Sequence, residues 1–168
     1  MPNSPHRAPF SLKQHQTQAV EITSMTLESK RKALIEIGTG GGKTVVSAEL
    51  ARRHIGDTSS SVLVISKSHE LVMQHVSTFE RHISSLERER FVRLGCTQSG
   101  LRRLNPLSEA HTQQRAKSVI IFTTIHTLCK RLKTPSPLLR KIKLGLILWD
   151  ECHWADHQSM GRRVARWA

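Results

Sequence analysis

The chain has 168 residues, of which 38% are hydrophobic and 23% charged, and 26 Lys and Arg against 13 Asp and Glu give a net charge of +13. No apolar run approaches the roughly 20 residues of a membrane helix, the N-terminus has no apolar signal region, and the three cysteines form no CxxC pair and no even disulfide framework. These features exclude a membrane protein, a secreted cystine scaffold, a coiled coil and a collagen-like chain. They favour a cytoplasmic globular domain whose partner is nucleic acid or another polyanion.

Short apolar runs alternate along the chain with stretches of helical periodicity. Residues 1–11 are expected to form a loose lead-in, residues 12–168 one domain, and the polar residues 96–117 fit neither pattern. The apolar runs are rich in Val, Ile and Leu and scarcely alternate with polar residues, as buried parallel strands do. We therefore expect a doubly wound α/β fold with a mostly parallel sheet flanked by helices. The predicted helices are 12–29, 43–54, 69–79 and 125–132, and the predicted strands are 33–37, 62–65, 119–122 and 146–149.

A glycine-rich turn, GTGGGKT, lies between the first predicted strand and the helix that follows it. Backbone N–H groups at such a helix N-terminus bind an anion, and glycines allow a phosphate to approach closely. Lys43 would reach the β- and γ-phosphates of ATP, and the Thr44 hydroxyl would bind Mg²⁺. The strict GxxxxGK[ST] pattern is not met, because Ile37 stands at its first glycine. The predicted phosphate-binding residues are Gly38, Thr39, Gly40, Gly41, Gly42, Lys43 and Thr44.

The last predicted strand runs into two adjacent carboxylates in LILWDECH. Carboxylates at the carboxyl end of a buried strand point into the ligand crevice of an open α/β sheet. Asp150 would bind Mg²⁺ and Glu151 would orient the attacking water. A solvated acidic turn is the structural alternative. Another alternative is a metal cluster, for which the candidate ligands are Cys152, His153, Asp156 and His157.

The positive charge is concentrated in the second half of the chain. Residues 91–149 contain eleven Lys and Arg and one acid, Glu109, whereas residues 1–90 contain twelve bases and nine acids. A solvated surface can produce such a run, but the imbalance favours contact with a phosphate backbone.

The two motifs together resemble motifs I and II of superfamily 2 helicases and translocases, and most of all their DExH-type, restriction-enzyme-helicase-like branch. The resemblance implies a RecA-like ATP-binding domain in which Lys43, Asp150 and Glu151 act in ATP hydrolysis, with ATP and Mg²⁺ as cofactors. The segment LKQHQTQAV is similar to the element that precedes motif I, which implies that Gln16 reads the adenine edge.

Two further segments fall in the family's order. VLVISKSHELVMQ, which begins at Val62, is similar to motif Ia and implies that Ser66, Lys67 and Ser68 lie near the nucleic-acid backbone. In VIIFTTIHTL, Thr123 or Thr124 would take the role of the family's backbone-contacting threonine. The histidine of DECH, His153, would couple the ATP site to motif III and to a second domain.

The resemblance covers one half of the family's motor. Such a motor has two RecA-like domains, and the strand of motif III lies between the P-loop strand and the Asp-Glu strand. We find neither that strand nor a second domain in the sequence, so we expect an incomplete sheet, poor autonomous stability and little ATPase activity.

The favoured function is the ATP-binding half of a nucleic-acid-dependent helicase or translocase, with DNA preferred to RNA as its track. One alternative is a passive, basic nucleic-acid-binding module without ATP turnover. Another is a small kinase or GTPase, although no NKxD-type guanine-reading element is present.

Overall fold

The computed structural model describes residues 11–83, 91–94, 118–133 and 142–152, with backbone alone at 91–94 and 131–133. Four α-helices and four strands lie in these ranges. In chain order they are α1 (Gln14–Lys30), α2 (Lys43–Asp57), β1 (Ser61–Ser66), α3 (His69–His82), β2 (Phe91–Leu94), β3 (Ile120–Thr124), α4 (Ile125–Lys133) and β4 (Leu144–Trp149). No helix in this part of the chain is long and apolar enough to cross a membrane.

The four strands form one parallel sheet in the order β2-β3-β1-β4. Val62 of the central strand β1 pairs with Ile120 of β3 on one side and with Leu146 of β4 on the other. Because the strands are parallel, their carboxyl ends lie at one edge of the sheet. Ser66, Thr124 and Trp149 therefore end at the same edge.

Helices cover both faces of the sheet. Val62 and Val64 of β1 pack with residues of α2 and α3, whereas Leu63 and Ile65 pack with Leu128 of α4. Both sets are buried, which explains why the strand sequences do not alternate between apolar and polar residues. The predicted doubly wound α/β fold is confirmed.

The predicted strand at residues 33–37 is wrong. Residues 32–38 belong to no strand, and β4 is one of the two edge strands of the described sheet. The side chains of Ile35 and Ile37 pack against the buried cluster between α1 and α2, as does that of Leu148, but Leu34 is 80% exposed. An apolar run predicts burial, whereas a strand also needs a neighbouring backbone with which to pair.

Other differences from the predicted elements are small. β2 was not predicted, because a four-residue run that includes Arg93 is too short to show periodicity. Helices α2 and α3 each extend three residues beyond their predicted ends, to Asp57 and His82. In α1, Val20 is buried as its spacing suggests, but Ile22 and Met25 are 64% and 69% exposed. The expected absence of a motif III strand is not tested by the described residues and stays a prediction.

Candidate nucleotide site

The glycine-rich turn is a tight loop that leads directly into α2. Gly40 and Gly42 have φ of 79° and 87°, in the left-handed region that favours glycine. The Gly41 N–H donates to the Gly38 carbonyl at 3.0 Å. A Cβ on Gly41 would collide with the side chain of Ile37 and a Cβ on Gly42 with that of Gln16. Glycine is therefore favoured at position 40 by backbone conformation, at 41 by close packing, and at 42 by both.

Lys43 and Thr44 open α2 at the edge of this loop. The Lys43 side chain is exposed, and its Nζ donates to the Ile37 carbonyl at 2.9 Å. Thr44 is half-buried and lines the same cleft. The Lys43 ammonium group and the Thr44 hydroxyl thus lie beside the glycine-rich turn, and all of them border one cleft.

Gln16 supports the loop from α1 and is 94% buried; its expected adenine-reading role stays a prediction. Its Nε2 donates to the Gly41 carbonyl at 3.2 Å, and its Oε1 accepts from the Lys13 N–H at 3.0 Å. The His15 ring nitrogen Nε2 lies 3.0 Å from the same Gly41 carbonyl. Both ends of the Gln16 amide are used within the protein, so in this conformation the residue shapes the loop.

Asp150 and Glu151 follow β4 at the carboxyl edge of the sheet. The Asp150 N–H donates to the Ile65 carbonyl at 2.9 Å, which extends the pairing of β4 with β1 by one bond. Its Oδ2 lies 2.9 Å from Nε2 of His75 on α3. Glu151 is exposed and has φ of 51°, a left-handed conformation that is uncommon for a non-glycine residue and is often found at functional sites.

The electrostatic surroundings keep Asp150 ionised. The hydrogen bond from His75 is the largest cause that lowers the pKa of the Asp150 carboxyl; burial opposes it. The charges of His75 and Lys43 and the Glu151 backbone N–H lower the pKa further. An ionised carboxylate beside a lysine is the charge pattern that a magnesium-bound phosphate requires.

One cleft of about 410 Å³ joins these parts. Its walls are the glycine loop, the start of α2, the exposed side of α3 and the turn after β4. A Cβ on Gly38 or Gly40 would meet nothing within 4 Å, so open space adjoins the loop backbone. This space, the Lys43 ammonium and the Asp150 carboxylate fit a nucleotide phosphate and its Mg²⁺. A more open groove of about 840 Å³ continues along α3 and shares four residues with the cleft: Thr44, Gln74, Thr78 and Arg81.

The candidate nucleic-acid residues after β1 differ in exposure. Ser66 is completely buried. Lys67 is exposed, and Ser68 is half-buried, with its Oγ accepting from the Leu71 N–H at 3.3 Å as the N-cap of α3. The structure thus brings Lys67 and Ser68, but not Ser66, to the surface at the carboxyl edge.

The two threonines at the end of β3 also separate. Thr123 is completely buried, which leaves Thr124 as the accessible one of the pair. Thr124 Oγ1 accepts from the Thr127 N–H at 3.2 Å and donates to Thr127 Oγ1 at 3.0 Å. Thr124 therefore ends β3, is hydrogen-bonded to the first turn of α4, and lies at the same sheet edge as Lys67.

The predicted coupling residue His153 lies outside the described residues, as do Asp156 and His157 of the alternative metal cluster. Cys152, the remaining member, is described as an exposed free cysteine. In the described ranges no group of three His, Cys, Asp or Glu side chains is arranged to hold a metal ion.

Sequence reasoning missed the contribution of α3. His75 and His82 are seven residues apart, hence on one face of the helix. His75 contacts Asp150, and His82 Nε2 lies 2.9 Å from Oε2 of Glu49 on α2. The seven-residue spacing could have indicated that the two histidines share a helix face. It could not have indicated that they contact Asp150 and Glu49.

Comparisons with known proteins identify a family and three structures of similar fold. The family described as type III restriction enzyme, res subunit (ResIII), matches residues 9–167. No curated protein matches the sequence. The chain is similar to a solved nuclease-deletion mutant of the type ISP restriction-modification enzyme LlaGI in complex with a DNA substrate mimic, with 14% identity and a TM-score of 0.67 over 89% of this chain and 16% of that one.

Two structures of UvsW from bacteriophage T4 also match. The UvsW helicase structure has 19% identity and a TM-score of 0.62 over 93% of this chain and 47% of that one. The other has 20% identity and a TM-score of 0.59 over 86% and 25% of the two chains. This chain therefore spans less than half the length of each of the three structures, with which it shares its fold.

The three structures share the fold of this chain, and the family match covers nearly all of it. Because the family match covers residues 9–167, the chain belongs to the ResIII family, described as type III restriction enzyme, res subunit.

Proposed function

We propose that this chain is the ATP-binding half of a nucleic-acid-dependent ATPase of the helicase or translocase type. The observation that supports this best is the meeting of the two sequence motifs in one cleft. Lys43 and Thr44 come from the start of α2 and Asp150 and Glu151 from the end of β4, and all four line the same space.

Each of these side chains has a distinct role in the proposal. Lys43 binds the β- and γ-phosphates, and Thr44 and Asp150 hold Mg²⁺, which when bound neutralises charge on the phosphates. Glu151 orients a water molecule for attack on the γ-phosphorus, so that the bond from that phosphorus to the ADP oxygen breaks. The exposed position of Glu151 leaves its carboxylate accessible to water.

Nucleic acid would bind at the carboxyl edge of the sheet. Lys67, Ser68 and Thr124 supply a charge and polar groups there, and the net charge of +13 favours a phosphate backbone. The DNA substrate mimic bound to LlaGI supports DNA as the track. A second RecA-like domain would supply an arginine finger, and such a residue contributes about 10³–10⁵ in rate.

A thermal melt with and without Mg²⁺–ATP tests the nucleotide site. A ligand at 100 times its Kd stabilises the folded state by about 2.7 kcal/mol, which for a chain of this size raises Tm by about 5–10 °C. We expect this rise for the parent and for Glu151→Gln, and its loss in Lys43→Ala. Lys30→Ala, which removes an exposed lysine at the end of α1, is the matched control.

Hydrolysis measurements complete the test. We expect Glu151→Gln to bind ATP but to hydrolyse it at least about 100-fold more slowly. DNA and RNA, added separately, should differ in how far they stimulate turnover. Two results together would instead indicate the passive nucleic-acid-binding module. ATP would leave the Tm of a stable chain unchanged, and the affinity for DNA would fall steeply with salt in the parent and in Lys43→Ala alike.

A further inference from the structure

The Asp150–His75 contact joins the candidate magnesium ligand to a helix that carries none of the recognised nucleotide motifs. His75 Nε2 and Asp150 Oδ2 are 2.9 Å apart, and the two residues are 75 positions apart in the chain. The His75 side chain is 4% exposed and that of Asp150 19%. The contact is therefore a partly buried connection between α3 and the end of β4.

The direction of this hydrogen bond follows from the charge on Asp150. An ionised carboxylate only accepts hydrogen bonds, so His75 Nε2 carries the proton and donates. The other ring nitrogen, Nδ1, is buried and has no hydrogen-bond partner among the described residues. Among the described residues, the bond to Asp150 is thus the only hydrogen bond that holds the ring. A carboxylate has about four lone-pair positions, so Asp150 keeps capacity for a cation.

Helix α3 is held firmly enough to serve as a support. Ser68 caps its first turn, and the contact of His82 with Glu49 ties its last turn to α2. Between these points the His75 ring lies edge-on to Phe79, with ring centroids 6.3 Å apart. His75 therefore projects from a helix that is fixed at both ends.

We propose that His75 is a positioning residue for the nucleotide's Mg²⁺, and that its Nε2–H holds the Asp150 carboxylate in the orientation that accepts the cation. This inference rests on the proposed function, since it presupposes that Asp150 binds Mg²⁺. Residues that orient a metal ligand from behind commonly contribute 10–100-fold to metal affinity. His75 touches neither the phosphates nor the attacking water in this role.

The test is a titration with Mg²⁺ at a fixed ATP concentration, in which the rise in Tm reports binding. The quantity compared between variants is the Mg²⁺ concentration that gives half of the maximal rise. We expect His75→Leu to raise this concentration by about 10–100-fold. His75→Gln, whose amide nitrogen can occupy the place of Nε2, should restore it to within a few-fold of the parent. His75→Asn, whose amide falls near Nδ1 and short of Asp150, should behave like His75→Leu. Binding of ADP in EDTA should be equal in the parent and all three variants.

A control distinguishes positioning from general loss of stability. His54 Nε2 lies 2.9 Å from Ser60 Oγ, at the opposite end of β1 from the site. His54→Leu removes a bond of the same length and should lower Tm without changing the Mg²⁺ requirement.

The outcomes separate this inference from the proposed function. If His75→Leu or His75→Asn needs no more Mg²⁺ than the parent, or if His75→Gln needs as much as His75→Asn, the inference is wrong. Should His75→Leu fail to fold, the Gln and Asn pair decides. If the parent binds no nucleotide with or without Mg²⁺, the proposed function itself fails.

Discussion

Glu49 is a buried carboxylate on α2 that holds α2 and α3 together. It accepts from Arg52 at 2.8 Å and from Arg53 at 2.8 Å on its own helix, and it lies 2.9 Å from His82 on α3. The hydrogen bond from Arg52 is the largest cause that lowers the pKa of Glu49 from 4.5 to about 2; burial opposes it, and Arg53 and His82 reinforce it. The ionised form is therefore the one that stabilises the fold.

This pKa makes a prediction about stability in acid. A carboxyl with a lower pKa in the folded state contributes stability that is complete above its unfolded pKa, and this is lost as the pH falls toward about 2. The two arginine side chains are 44% and 39% exposed, so we expect a contribution of about 1–3 kcal/mol. The check is the free energy of unfolding in denaturant, measured between pH 7 and pH 2. Below about pH 4.5 this free energy should fall more steeply with pH in the parent than in Glu49→Gln. Identical pH profiles would contradict the assignment.

At the residue scale the sequence indicated the residues that line the cleft better than it indicated the residues that support them. The glycines, Lys43, Asp150 and Glu151 stand in two short local patterns, GTGGGKT and DECH, that can be recognised without the fold. Their roles with phosphate and Mg²⁺ stay predictions. The contacts made by Gln16 and His75 depend on residues that lie 25 and 75 positions away. One sequence without its fold contains no signal for such pairings.

At the scale of elements, β4 joins β1 through an irregularity at Gly145. Ser61 pairs with Leu144 and Val62 with Leu146, so Gly145 is the extra residue of a bulge. A Cβ on Gly145 would collide with Ser60 Oγ and lie 2.7 Å from His54 Nε2. Burial of the His54 ring lowers its pKa, with Asp57 opposing, so its neutral form is favoured at this junction.

We expect Gly145→Ala to reduce the free energy of unfolding by about 1–3 kcal/mol, because the new methyl group must displace backbone or side chains. Gly56→Ala is the matched control, since Gly56 lies in α2 with nothing within 4 Å of an added Cβ. That change should be neutral or stabilising by up to about 1 kcal/mol. If urea titrations gave equal free energies of unfolding for Gly145→Ala and the parent, the residues around Gly145 would be able to move aside for the methyl group at no cost.

The elements themselves were largely predictable where apolar runs and periodicity were long. Three of the four predicted strands and all four predicted helices are present with shifted ends. The run at residues 33–37 was misassigned because hydrophobicity does not reveal whether a pairing partner exists. β2 was missed because its four residues carry too short a pattern.

At the scale of the whole molecule, the strands of the sheet differ in how completely their backbone groups are paired. β1 is paired on both sides, whereas β4 pairs only with β1 among the described strands and forms one of the two edges of the described sheet. Beside it, residues 32–38 belong to no strand, and Leu34 is 80% exposed. We propose, as the family resemblance implies, that a motif III strand lies between these two segments in the complete motor.

Hydrogen exchange measures this difference in pairing directly. Backbone amides of β1 and β3 should exchange slowest, because they are paired and buried, and those of residues 33–37 should exchange among the fastest outside the loops. In a longer polypeptide that includes the motif III strand, the amides of residues 33–37 should become protected. Protection of residues 33–37 equal to that of β1 in this chain would show that the segment is already paired.

The bond from Lys43 to the Ile37 carbonyl has a consequence for conformational entropy. A lysine side chain loses about 1.5–2 kcal/mol of rotamer freedom when it is fixed. In this structure Lys43 Nζ is already held at 2.9 Å from a carbonyl at the mouth of the loop. A phosphate that replaces the Ile37 carbonyl as the acceptor would meet a Lys43 side chain that has already lost part of its rotamer freedom. Binding the anion would then cost less conformational entropy, which makes Lys43 a preorganised donor.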